Sequence, residues 1–131
     1  MGRSFTAAGS GFPKSKRLLK HSDFQRVYQS GRRQFTGNIT VFCLRRSIEV
    51  GTGPRVGFTV GKVLGGAVER NLIRRRMREA VRLSWPACEG PVDVVLNPRK
   101  SVLKLPFIKL VDEVARALRL AAQRARVAEE T

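Results

Sequence analysis

Between Gly66 and Trp85 the apolar positions recur as a helix would bury them. At about 100° per residue, Ile73, Met77 and Ala80 share one face, with Val81 at its edge. Arg70, Arg74, Arg78 and Arg82, each four residues from the next, fall on another, with Asn71 and Arg75 beside them. The pattern predicts a helix ending near Trp85-Pro86, because a residue before proline is biased out of helix. A second helix is predicted from Leu105 to about Arg126. There Phe107, Leu110, Val111, Val114, Leu118 and Ala121 form an apolar stripe suited to covering a sheet. A short helix is expected within Arg17 to Gly31, where Phe24, Val27 and Tyr28 lie at i, i+3 and i+4. Ser22 reads as its N-cap, Gln25 completes a capping box, and Gly31 suits a left-handed terminating residue.

Strand patterns fill the gaps. Gln34 to Arg46 reads as one strand, with Phe35, Ile39, Val41, Phe42, Cys43 and Leu44 partly alternating with Thr36, Asn38 and Thr40. Ser47 to Pro54 is a glycine-containing loop, and Arg55 to Val60 is a strand expected to be the hairpin partner of the first. After a loop over Ala87 to Pro91, the continuous apolar run Val92 to Leu96 suits a central strand. Asn97 to Lys104 reads as a basic loop or a short edge strand. Residues 1–16, rich in Gly, Ser and Lys, read as a flexible basic tail. Residues 17–126 form a single α/β domain, and 127–131 a frayed end.

Charge changes the meaning of the arginine row. The 131 residues hold 26 Lys plus Arg against 10 Asp plus Glu, a net charge of +16. Like charges at i,i+4 cost a helix a few tenths of a kcal/mol per pair, and a merely solvated helix would interleave glutamates. On so basic a chain the row reads as a polyanion-binding surface, since guanidinium forks onto phosphate oxygens. No apolar run approaches the roughly 20 residues needed to span a bilayer, and no secretory apolar segment opens the chain, so a cytoplasmic location is expected. Cys43 and Cys88 are not spaced as a metal knuckle or redox pair and read as buried free thiols.

Catalytic groups are sparse. Glu69 and Glu79 lie within the arginine helix, where ion pairing suffices; Glu49 and Glu89 fall in loops; Asp112 and Glu113 sit on a packing helix. His21 is the only histidine, a poor basis for metal-free RNA cleavage. Gly61, Gly65 and Gly66 match neither nucleotide-loop spacing. The chain therefore reads as an RNA-binding surface without an evident catalytic centre. Phe24 and Tyr28 are either core or, among basic neighbours, a platform for stacking bases.

These residues resemble the signature of the bacterial ribonuclease P protein subunit. The likeness lies in Val60-Gly61-Lys62, then Gly65, Ala67 and Val68, then Arg70-Asn71, Ile73, Arg74-Arg75 and Arg78-Glu79. Phe12-Pro13-Lys14, Arg17-Leu18 and Asp23-Phe24 are similar to the family's N-terminal segment, Arg33-Gln34-Phe35 to its first strand, and Asp93 through Arg99-Lys100 to its third. The likeness covers roughly residues 12 to 120. Val63, Gly66 and Leu72 depart from it, standing where lysine, asparagine and arginine are usual.

The resemblance implies an α+β fold, a two-layer α/β sandwich of order α-β-β-α-β-(β)-α, with a left-handed β-α-β crossover through the arginine-rich helix. It implies an endoribonuclease whose RNA subunit removes the 5′ leader of precursor tRNA, using Mg²⁺ held mainly by RNA, while the protein alone is inactive. The protein would pair one to one with that RNA, with no obligate protein partner and no membrane. RNA-subunit contacts would be Lys62, Arg70, Asn71, Arg74, Arg75 and Arg78; leader contacts would be Phe24, Tyr28 and Phe35, with Arg17 and Lys20 near them. The rivals are a ribosomal-type structural RNA-binding protein, a free-standing nuclease using His21, and a DNA-binding protein.

Overall fold

The computed structural model describes residues 17, 20–46 and 53–130, the side chains of 127–130 excepted. The proposed tail over 1–16 and most of the loop after Arg46 lie outside the described residues. The elements are α1 (His21–Ser30), β1 (Arg32–Phe35), β2 (Ile39–Arg45), β3 (Arg55–Phe58), α2 (Ala67–Ser84), β4 (Val92–Pro98) and α3 (Phe107–Glu130). Short 3-10 turns occupy Lys62–Leu64, Trp85–Ala87 and Lys100–Lys104.

The strands form one sheet of order β1-β2-β4-β3. β1–β2 and β2–β4 are antiparallel, and β3–β4 is parallel. Alternation splits the sheet into two faces. Ile39, Val41, Cys43, Val56, Val92, Val94 and Leu96 pack on one face against Ile73, Met77, Ala80 and Val81 of α2 and Leu110, Val114, Leu118 and Ala121 of α3. On the other face, Phe42, Leu44 and Val95 meet Phe24, Val27 and Tyr28 of α1. The class is the α+β one expected, but helices cover both faces of the sheet, making three layers in place of two, and the order is α-β-β-β-α-β-α, because residues 34–46 divide between two strands. β4 is central as its apolar run implied, and β3 and β4 are joined through the arginine helix.

Several local expectations change. The single strand over 34–46 is a hairpin: β1 pairs with β2, and Thr36 donates its N–H to Ile39 O at 2.9 Å. β3 is not the hairpin partner of β2, because β1 and β4 occupy the two edges of β2. The long connection through α2 instead gives β3 room to run parallel to β4. Residues 97–104 are neither loop nor edge strand; β4 continues to Pro98 and a 3-10 turn follows from Lys100.

α1 starts one residue before Ser22, with Lys20 at the N-cap and no side-chain cap, so the Ser22–Gln25 capping box does not form. Gln25 Nε2 lies 3.2 Å from His21 Nε2 instead. Gly31 is extended (φ −84°, ψ 173°), not left-handed. It is needed for close approach: a Cβ there would lie 2.5 Å from Val27 O and 2.6 Å from Cys43 O. α3 runs beyond its predicted end to Glu130. Cys43 and Cys88 are buried and free. Burial pushes both thiols up, Cys88 to about 12.

Candidate nucleic-acid interface

The start of α2 is built by its own sequence. Gly65 has φ +135°, a region that favours glycine. Glu69 accepts the Gly66 N–H at 3.2 Å and pairs with Lys100 at 3.3 Å. That hydrogen bond, then the lysine, lowers the pKa of Glu69. Burial of Ile73, Met77, Ala80 and Val81, each fully enclosed, turns the opposite side of the helix outward.

Four of the six predicted RNA-subunit residues meet there. Asn71, Arg74, Arg75 and Arg78 line one depression with Val68. Arg74 donates to Asn71 Oδ1 at 2.6 Å, and Arg75 is exposed. Lys62 is exposed on the 3-10 turn before α2. Arg70 is half-buried, and its Nε donates to Gly65 O at 3.1 Å, bracing the turn. Farther along, Arg82 pairs with Glu79, whose pKa that contact lowers. Arg76 donates to Leu105 O and lies 5.9 Å from the Phe107 ring centre.

The α1 face of the sheet gathers the predicted leader residues. Phe24 and Tyr28 are half-buried around Val27 and Val95. The Tyr28 ring meets Phe42 edge-on at 4.9 Å. Its hydroxyl donates to Asn97 Oδ1 at 3.1 Å and lies 3.2 Å from Thr59 Oγ1. Residues paired across strands share a face. Register therefore sets Phe35 beside Thr40, and Thr40 beside Asn97. Phe35 is 55% exposed, with the guanidinium groups of Arg33 and Arg99 at 5.5 and 5.7 Å from its ring centre. Lys20 is exposed at the start of α1, and Arg17 bridges to Val56 on the β3 edge. The row Phe35–Thr40–Asn97–Thr59 with Tyr28 above it was not visible in the sequence. Asn97 and Thr59 acquire a role only when β3 pairs with β4.

Sequence reasoning also missed an ionic cluster on this face. Asp93, fully buried, accepts from Arg26 at 2.7 Å, Arg46 at 2.6 Å, and Arg55 at 2.9 and 2.8 Å. Burial opposes its charge, but hydrogen bonds and charge from Arg55 and Arg46 prevail and hold its carboxyl below the usual range. Arg26 also pairs with Asp23 at 2.9 Å within α1, and Asp23 lies 3.6 Å from Arg55 of β3, so the cluster ties α1 to the sheet. On the other side, Glu113 accepts from Thr36 and from Asn38 Nδ2 at 2.8 Å, fastening the β1–β2 turn to α3. Burial resists its ionisation, and these bonds outweigh it.

Among the described residues, no group of three or more His, Cys, Asp or Glu is placed to hold a metal ion. The engaged carboxylates of Asp93, Glu69, Glu79 and Glu113 do not fit a protein-borne Mg²⁺ centre. No described helix is long and apolar enough to cross a membrane.

The family model for ribonuclease P matches residues 12–122. This chain belongs to the ribonuclease P protein family. The ribonuclease P protein component of Symbiobacterium thermophilum is 41% identical over 101 residues, covering 77% of this chain and 86% of that one. Its counterpart from Ruegeria pomeroyi is 43% identical over 104 residues, covering 78% and 82%. Among solved structures, the RNase P protein of Staphylococcus aureus superposes with a TM-score of 0.67 at 26% identity, over 82% of this chain and 96% of that one. The Thermotoga maritima RNase P protein shares the fold, with a TM-score of 0.67 at 22% identity over 79% and 94%.

Proposed function

We propose that this chain is the protein subunit of a ribonuclease P holoenzyme. It binds the catalytic RNA subunit, one chain to one RNA, through α2, and holds the single-stranded 5′ leader of precursor tRNA on the α1 face of the sheet. The carrying observation is the outward grouping of Asn71, Arg74, Arg75 and Arg78 on a helix anchored by its other side. Family membership supports it.

On this reading, Arg74, Arg75, Arg78 and Lys62 neutralise phosphates and release their counterions. Phe35, exposed and close to two guanidinium groups, offers its ring to a base. Tyr28 and Phe24, half-buried on the same face, add aromatic surface beside it. Stacking supplies roughly 1–3 kcal/mol per base with little sequence preference. The holoenzyme is an endoribonuclease whose Mg²⁺ is held by RNA and substrate, and which leaves a 5′-phosphate on the mature tRNA. The protein's part is to bind and orient two polyanions and lower their repulsion.

Adding this chain to a cognate RNA subunit at low Mg²⁺ tests the reading. Leader removal should be restored by protein plus RNA and absent with protein alone. No stimulation, or cleavage by RNA-free protein, overturns the proposal. Depletion in cells should accumulate precursor tRNA with ribosomes intact; the reverse result favours a ribosomal-type RNA-binding protein.

A further inference from the structure

We propose that the flank of α2 bearing Val68 and Leu72 is a seat for an unpaired nucleobase of the RNA that its arginine face binds. This rests on the RNA-binding reading above and adds a ligand class at the same helix. Val68 is 82% exposed and Leu72 40%. Their four-residue spacing sets them side by side. The core does not need them, because Ile73, Met77, Ala80 and Val81 already fill the buried face. One turn on, Arg76 lies over Phe107, and Phe107 and Ile108 (36% and 67% exposed) carry the apolar surface onto α3.

The surroundings specify the occupant. Val68 lines the same depression as Asn71, Arg74, Arg75 and Arg78, so whatever covers it also meets three guanidinium groups and an amide. A second copy would bring another net charge of +16 against the first. An RNA duplex presents phosphates and ribose hydroxyls, which apolar side chains would desolvate without return. An unpaired nucleotide suits every group present. Its phosphate meets Arg74 or Arg75, and its base face covers Val68 and Leu72. Its polar edge meets the Asn71 amide NH₂, since Asn71 Oδ1 already accepts from Arg74.

The test is Val68→Ala with Leu72→Ala in the full chain, titrated with the cognate RNA subunit over a salt series. Both sites are on the surface, and alanine keeps the helix, which thermal melting checks. Binding should weaken about five- to tenfold at every salt concentration, as expected for partial loss of buried apolar area, with an unchanged log-log salt slope. Dimethyl sulfate probing should find a base in an unpaired segment that the wild type shields and the double variant leaves reactive. Affinity within twofold of wild type, or weakening with a shallower slope, overturns the proposal. So does loss of self-association in place of RNA binding, which would make a second copy the occupant. Arg74→Ala and Arg75→Ala serve as the control: weakening by these alone leaves the RNA reading standing and removes only the base seat.

Discussion

Asp93 shows how one residue joins α1 to the sheet. It lies fully buried among three arginines from α1, from the residue after β2, and from β3. Replacing it with asparagine leaves their guanidinium groups without that counter-charge, and the loss of one partner from a buried ion network costs roughly 3–5 kcal/mol. Asp93→Asn should therefore lower the urea midpoint at pH 7. The pH dependence has a definite sign. Because the folded carboxyl titrates below its usual range, the unfolded chain takes up the proton first as pH falls. The stabilisation is complete well above the ordinary value of about 4 and drains away as pH drops through the lower folded value. Urea titrations from neutral to acid pH should show a weaker acid loss in the variant than in the wild type; an equal loss removes Asp93 from this role. Neither the ion cluster nor the Cys43 carbonyl that crowds Gly31 is legible locally. The arginines are 38 to 67 residues from Asp93 in sequence, and Cys43 lies on β2, beyond a hairpin from the glycine.

Among the elements, the proposed function gives α2 and α1 different parts in RNA contact. α2 is amphipathic, so its periodicity alone separated an anchoring side from an arginine side. Arg74→Ala and Arg75→Ala should each reduce the log-log salt slope of RNA binding by about one phosphate, measured by filter binding. Arg70→Ala should change it less, since that guanidinium braces Gly65 O. An unchanged slope for Arg74 and Arg75 would remove them as phosphate contacts. α1 holds aromatics that pack half-buried against the sheet. Phe24→Ala with Tyr28→Ala should weaken precursor tRNA more than mature tRNA, in equilibrium binding to the reconstituted holoenzyme. Equal weakening would make the rings packing residues only. Their spacing was readable in the sequence; the Tyr28 contacts with Thr59 and Asn97 were not, because they depend on which strands become neighbours.

At the scale of the whole molecule, the net charge of +16 acts with opposite signs on folding and binding. Self-repulsion opposes the compact free chain. Raising salt from 0.1 to 1 M shortens the screening length from about 10 to about 3 Å. The melting temperature of the free chain should rise over that range while its affinity for RNA falls; a free chain destabilised by added salt would contradict this. The sequence by itself determined the helical stripes of α2 and α3, the central apolar run of β4, the excess of positive charge and the family signature, because these are written in near-neighbour spacing and composition. Tertiary structure alone decided that the first strand folds back as a hairpin, that β3 runs beside β4, and that Asp93 collects arginines from three parts of the chain. Strand partners and buried ion pairs are chosen by competition among distant segments for the same edge or the same charge, and no local period records who wins.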